Sequence, residues 1–226
     1  MTVVNQLKNV QKNIKQACEA GERSAKNVNI IAVTKYVTEA RAEEAVKAGL
    51  THLGENRKEG LLQKQAAISD SRVLWHFIGS LQTRKVKDVI SHIDYLHSLD
   101  RLTLAKEINK RADVPLKCFV QVNISGESSK HGIGEDELMA FIKALKDFSN
   151  ISIVGLMTMA PHTEDQELIR RIFRRLKNWQ EHIMEHGFEH APCTELSMGM
   201  SNDYQIAVQE GATFVRIGSA LVGNDG

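Results

Sequence analysis

Cysteine, proline and aromatic residues are scarce in this chain, and so is any excess of charge. Three prolines and three cysteines occur in 226 residues, and aromatic side chains make up 5% of them. Cys18, Cys118 and Cys193 lie far apart in periodic segments, which rules out a disulfide framework or a cysteine-built zinc site. They are expected to be buried thiols of a reducing compartment. The net charge of +1 leaves no overall basic field to recruit nucleic acid and no acidic one to repel it. No apolar run approaches the roughly 20 residues of a membrane span. Lys8, Lys12 and Lys15 interrupt the apolar positions at the start, unlike a signal peptide. Linkers, low-complexity tracts, internal repeats and a dinucleotide-type glycine-rich turn are missing too. The expectation is a soluble cytoplasmic protein, a single domain over residues 1–226.

The composition, 42% hydrophobic and 25% charged, is that of an ordinary globular protein. Val3, Leu7, Val10, Ile14 and Ala17 recur at intervals of three and four, which predicts an opening amphipathic helix with Gly21 as its stop. Short apolar runs then alternate with helical patterns. The runs are 30–33, 51–53, 73–78, 95–97, 116–122, 151–156, 194–196 and 213–217, eight in all. Helices are expected at 40–48, 58–67, 84–91, 101–111, 135–148, 165–185 and 203–209. Alternating strands and helices mean a parallel sheet, and eight strands in a chain this size favour a closed (β/α)8 barrel over an open doubly wound sheet. Little chain remains after the eighth strand, so the opening helix is expected to cover the face of a missing eighth helix.

Within that architecture, functional groups belong at the carboxyl ends of the strands. The stretch NIIAVTKY (29–36) puts Lys35 just past a buried strand. An ammonium losing hydration there becomes a better nucleophile, and such amines form Schiff bases with carbonyl compounds. The alternative is a lysine that snorkels out of the barrel end. Gly199-Met200-Ser201-Asn202-Asp203 follows the seventh strand and Gly218-Ser219-Ala220 the eighth, with Arg216 beside them. This is where barrels of this kind often hold phosphate, although two ordinary capped turns would look alike. A reactive lysine opposite a phosphate cradle describes a site for a phosphorylated aldehyde, and pyridoxal 5′-phosphate fits.

Several segments occur in an order that carries a family likeness: IAVTK (31–35), HLGENR (52–57), WHFIGSLQ (75–82), LHSLDR (96–101), VQVNIS (120–125), GLMTM (155–159), LSMGMS (196–201) and VRIGSALVG (215–223). Over nearly its whole length the chain resembles the pyridoxal phosphate homeostasis proteins, the proline synthetase co-transcribed type, similar in fold to the barrel domain of alanine racemase. The resemblance implies a protein that holds pyridoxal phosphate on Lys35 as an aldimine and acts in vitamin B6 and amino-acid homeostasis without steady catalysis. It implies Asn56 near the ring hydroxyl and Arg216 near the pyridine nitrogen. It also implies Ser201, Gly218 and Ser219 at the phosphate, with Ser197 and Met198 lining the pocket. Many relatives carry serine and asparagine where this chain has Thr83 and Arg84. Its partners would be the cofactor and cofactor-dependent apoenzymes, with no nucleic acid or membrane, and the protein would be a monomer.

The competing expectation is a small racemase-like enzyme. Against it stand the chain's end at Gly226, which leaves no room for the second domain of alanine racemases, and Arg216, whose permanent charge keeps a facing pyridine nitrogen unprotonated. Alanine racemase uses such an arginine itself, so Arg216 argues against quinonoid chemistry in general. Tyr36, His76 and Tyr204 are spare acid/base candidates, read as packing or hydrogen-bonding groups. His182, His186 and His190 recur every four residues without an HExxH pattern, and Arg170, Arg171, Arg174, Arg175 and Lys177 read as a charged outer face. Lys85, Lys87 and Lys130 are rival lysines, Lys130 in a solvated loop.

Overall fold

The computed structural model describes residues 2–127 and 131–223. Its strands are β1 (Asn29–Val33), β2 (His52–Glu55), β3 (Leu74–Phe77), β4 (Tyr95–Leu99), β5 (Leu116–Gln121), β6 (Ile151–Met157), β7 (Glu195–Met200) and β8 (Phe214–Ile217). They close into one parallel barrel in chain order. Closure runs through Asn29↔Phe214 and Ala32↔Ile217, so β1 and β8 are hydrogen-bonded neighbours. The β-branched runs are hidden on both faces, as a parallel sheet covered by helices requires.

The helices are α1 (Val3–Ala20), α2 (Glu39–Lys47), α3 (Lys58–Ala67), α4 (Leu102–Arg111), α5 (Glu135–Ala144), α6 (Gln166–Glu185) and α7 (Tyr204–Gln209). Thr2 caps α1 by accepting from the Asn5 amide, and Val3, Leu7, Val10, Ile14 and Ala17 turn inward. The helix lies over α7 and the edge of α2. Asn13 Nδ2 donates to Tyr204 Oη at 2.9 Å, and the Val3 amide donates to Glu44 at 2.9 Å. Arg23 then clamps the returning chain, donating to the carbonyls of Val208 and Ala212.

Three elements differ in type or by more than two residues from the sequence expectation. Residues 84–91 form two short 3-10 segments, Thr83–Asp88 and Ile90–His92, not an α-helix. Val86, Val89 and Ile90 have helical spacing and are buried, but two tight turns deliver the same face. The helix expected over 135–148 stops at Ala144 and finishes as the 3-10 turn Leu145–Asp147. Most important here, β7 does not end at 196 but runs to Met200. Its register against β8 slips between Ser197 and Met200, so three steps of β7 face two of β8. Gly199, at φ +89, forms the bulge, and a Cβ there would meet the Ala207 Cβ at 2.5 Å.

Apolar side chains form two cores. The larger fills the space between strands and helices and includes Leu53, Leu96, Leu156 and Met198. The smaller lies inside the barrel: Ile31, Tyr95, Phe119, Met157 and Phe214. Cys18, Cys118 and Cys193 are free and buried. Burial pushes the Cys193 thiol up to about 12 and that of Cys118 higher still, so both stay protonated and unreactive. None of the described helices is long and apolar enough to cross a membrane.

Candidate functional site

Lys35 follows β1 by two residues, and Thr34 fixes where it starts. The Thr34 amide donates to the Gly54 carbonyl at 3.0 Å, and its hydroxyl donates to Glu55 Oε1 at 2.6 Å. Glu55 is paired with Lys64 at 3.0 Å, with side-chain exposures of 6% for Lys64 and 1% for Glu55. An ion pair dry on both sides thus anchors the residue before the lysine. Lys35 itself is half-buried, its Nζ 4.8 Å from the centre of the Tyr36 ring.

Arg216 rises from β8 inside the barrel and is 5% exposed. Its Nη1 donates to Ser197 Oγ at 2.6 Å and its Nη2 to the Thr158 carbonyl at 3.0 Å. Burial lowers the guanidinium to about 10 against the opposing pull of Asp203, so it remains a cation at neutral pH. Asp203 is buried as well, and burial raises its carboxyl above the usual range despite the Met200 amide, which donates to it at 2.5 Å.

Past the bulge at Gly199, Ser201 turns toward the segment that follows the neighbouring β8. Ser201 Oγ accepts from the amide of Gly218 at 3.3 Å and that of Ala220 at 3.5 Å. A hydroxyl that accepts two amide hydrogens still has its own proton to give, and among the described residues nothing takes it. These groups surround a cavity of about 420 Å³, lined also by Tyr36, His162, Asn202 and Asp203. The volume suits a small cofactor.

Of the residues singled out in the sequence, Lys35, Ser201, Arg216, Gly218 and Ser219 line this cavity. Three do not. Met198 is turned outward into the helix-facing core, because the longer β7 puts Ser197 inside the barrel and its neighbour outside. Ser197 lies beneath the cavity floor as the acceptor for Arg216. Asn56 sits half-buried in the turn after β2, where the Asn56 backbone approaches Gly79 so closely that a Cβ there would lie 2.5 Å from the Asn56 carbonyl. His162, missed in the sequence, is exposed at the rim. Its signal was its place in the loop after the sixth strand.

Other candidates are engaged elsewhere. His76 is buried between two histidines, and Tyr204 accepts from Asn13, whereas Tyr36 stands 62% exposed at the cavity mouth. His182 and His186 stack edge to face, and His190 Nε2 bonds the Ile142 carbonyl. No cluster able to hold a metal ion occurs among the described residues. Arg170 and Arg174 pair with Glu210, Arg175 with Glu135 and Lys177 with Glu181, so the basic stripe is largely neutralised. Lys85 and Lys87 are exposed, and Lys130 lies outside the described residues.

Residues 6–225 match the family model described as alanine racemase, N-terminal domain. The chain is 36% identical over 226 residues to the pyridoxal phosphate homeostasis protein of Aquifex aeolicus, covering 99% of this chain and 98% of that one. It is 36% identical to the protein of that name from Pseudomonas aeruginosa, with coverages of 98% and 95%. Among solved structures, PipY of Synechococcus elongatus with PLP bound superposes with a TM-score of 0.86 at 30% identity, covering 98% of this chain and 100% of that one. Alanine racemase of Corynebacterium glutamicum shares the fold at 16% identity, with a TM-score of 0.72. The match covers 96% of this chain and 61% of the racemase.

Proposed function

The chain belongs to the pyridoxal phosphate homeostasis protein family, whose barrel is that of the alanine racemase N-terminal domain, and from that premise we propose that it binds and holds pyridoxal 5′-phosphate for vitamin B6 homeostasis without steady turnover. One observation carries the reading. An amine (Lys35), a buried guanidinium (Arg216) and a hydroxyl backed by two amides (Ser201 with Gly218 and Ala220) converge on one cavity. They match the three chemistries of the cofactor: aldehyde, ring nitrogen and phosphate. When bound, the cofactor supplies a carbonyl carbon that a lysine amine can attack.

Each residue has a separate task. Lys35 provides the covalent tether, placed by Thr34 and the Glu55–Lys64 pair. Ser201, whose oxygen is held by the amides of Gly218 and Ala220 and whose proton is left to give, receives the phosphate together with Ser219. Arg216 donates toward the ring nitrogen and so leaves that nitrogen without a proton. The reading of a holder, not a racemase, is supported by the acid/base groups. His76 and Tyr204 are bonded away from the cavity, Tyr36 and His162 stand at its exposed rim, and Asp203, which also lines it, accepts from the Met200 amide. The open mouth beside a half-exposed Lys35 also suits a cargo that leaves for cofactor-dependent apoenzymes inside the cell.

The test is the visible absorption of purified protein titrated with pyridoxal phosphate, followed by borohydride reduction and peptide mass analysis. The expected result is a band lost in Lys35→Ala and a cofactor mass fixed on the peptide bearing Lys35. A band unchanged in Lys35→Ala refutes the site. Steady conversion of L- to D-alanine by the wild type, absent in Lys35→Ala, refutes the holding role.

A further inference from the structure

Beneath the cavity, a line of polar side chains crosses the barrel interior between apolar and aromatic ones. Starting at Arg216, Nη1 donates to Ser197 Oγ at 2.6 Å, and Ser197 Oγ lies 2.8 Å from His97 Nδ1. His97 Nε2 is 2.8 Å from His76 Nδ1, and His76 Nε2 is 2.8 Å from His52 Nδ1. His52 opens β2, so the line ends half-buried at the amino-terminal mouth, opposite the cavity. Aromatic rings sheathe it. Phe119 stacks on His97 at 4.4 Å, Tyr95 on His76 at 4.4 Å, and Phe214 lies 5.7 Å from His76.

Hydrogen counting gives this line a single direction. A guanidinium only donates, so Ser197 Oγ must accept from Arg216. The serine proton then has one acceptor among the described residues, His97 Nδ1. His97 therefore carries its proton on Nε2 and donates to His76, which carries its own on Nε2 and donates to His52. In the reverse arrangement the serine oxygen accepts twice and its proton is left buried without a partner, which costs about 1–3 kcal/mol. Charge agrees with the counting. Burial, with neighbouring cations adding to it, holds the His76 and His97 imidazoles well below their usual range, so both are neutral. The charged and titratable groups around the line are Asp94, Tyr95 and Lys117 near its lower end and Arg216 with Asp203 at its top.

We propose that His52, His76, His97 and Ser197 form a one-directional hydrogen-bond relay that holds the Arg216 guanidinium in place at the cavity floor, His97 and Ser197 being positioning residues for the ligand's ring. The relay aims a serine lone pair at Arg216 and admits no second cation beside it. Its effect on ligand binding rests on the pyridoxal phosphate reading above; the relay itself does not.

Nitrogen-15 imidazole NMR of the ligand-free wild-type chain tests the relay without any substitution. His76 and His97 should both be neutral, protonated on Nε2 and bare on Nδ1, throughout pH 6–8. Either ring protonated on Nδ1, or turning cationic in that range, overturns the proposal. The second arm compares Ser197→Ala with Ser197→Thr, which keeps the hydroxyl. Ser197→Ala should weaken pyridoxal phosphate binding about tenfold and move its visible band, the loss of one hydrogen bond to a charged group. Ser197→Thr should restore both. Ser197→Ala with wild-type affinity and band position overturns the positioning role. A wild type that binds no pyridoxal phosphate sinks the functional reading instead and leaves the imidazole test standing.

Discussion

The ion pair behind Lys35 offers the sharpest energetic test of how the site is held. Lys64→Met keeps most of the side-chain volume but leaves the Glu55 carboxylate, 1% exposed, with no cation. At the observed separation of 3.0 Å the gross attraction is about 5 kcal/mol for an effective dielectric near 20. Breaking a buried pair by removing one partner costs about 3–5 kcal/mol, because the other charge stays dry and uncompensated. Thr34 still donates to Glu55, but one neutral hydroxyl does not replace an ammonium. For a chain of this size the loss should lower the melting temperature by roughly 6–20 °C.

The double variant Glu55→Gln/Lys64→Met separates charge from packing. It removes both charges and keeps an oxygen for the Thr34 hydroxyl, so it should recover to within about 1–2 kcal/mol of the wild type, as buried pairs exchanged for neutral groups often do. Urea denaturation at pH 7, followed by far-ultraviolet circular dichroism, measures all three proteins. A Lys64→Met loss below about 1 kcal/mol would place the pair in the range of surface salt bridges and refute the anchoring argument. A double variant no more stable than the single one would show that packing, not charge, carries the effect.

Acid sensitivity follows from the interior histidines. His76 and His97 bind protons less readily folded than unfolded, where the ordinary value is about 6.5. Their neutral burial is therefore fully compatible with folding above about pH 6.5, and stability falls as pH drops below it, by up to about 1.4 kcal/mol per pH unit for each histidine. Urea midpoints from pH 5 to 8 should show this slope, and His97→Phe should lower it by about one histidine; an unchanged slope contradicts the assignment. Gly199→Ala puts a methyl group 2.5 Å from the Ala207 Cβ at a φ of +89. It should cost about 2 kcal/mol or more through strain and overpacking, read from the same denaturation curves. A near-neutral result would mean that the bulge is not needed to place Ser201.

The barrel was readable in the sequence because eight short runs alternate with helical periods, and closure is the economical arrangement for so many strands in so short a chain. Lys35 and Ser201, which line the cavity, could be picked out because residues just past strand ends fall on one rim, whereas Arg216 lies within β8 and stood out as a cation beside the last glycine-serine turn. Met198 was misplaced because the bulge at Gly199 hides the continuation of β7. The segment SMGMS looks like a loop, yet the strand persists, and its alternation sends Met198 outward. The helix read over 84–91 failed because helical and 3-10 turns bury the same spacing of Val86, Val89 and Ile90. The histidine line was invisible for another reason. His52, His76 and His97 lie on three strands, and nothing local says that their inward faces meet; that depends on the registers His52↔Leu74 and His76↔Tyr95.

Those registers also explain why a cation can live inside the barrel. Arg216 is almost wholly desolvated and forms no ion pair among the described residues, so its charge is balanced only at a distance by Asp203 and locally by two neutral oxygens. A buried cation so weakly compensated costs several kcal/mol. The neutral histidines limit that cost, since a charged imidazole at His97 would stand one serine away from the guanidinium. Ser201, on the neighbouring strand end, keeps a hydroxyl proton without an acceptor among the described residues, backed by the amides of Gly218 and Ala220. This side of the cavity is thus rich in donors. On the proposed reading, a dianionic phosphate and an unprotonated ring nitrogen would supply acceptors to these donors. On that reading the site would gain most from holding its ligand in the ground state, and binding of that kind does not by itself speed a reaction.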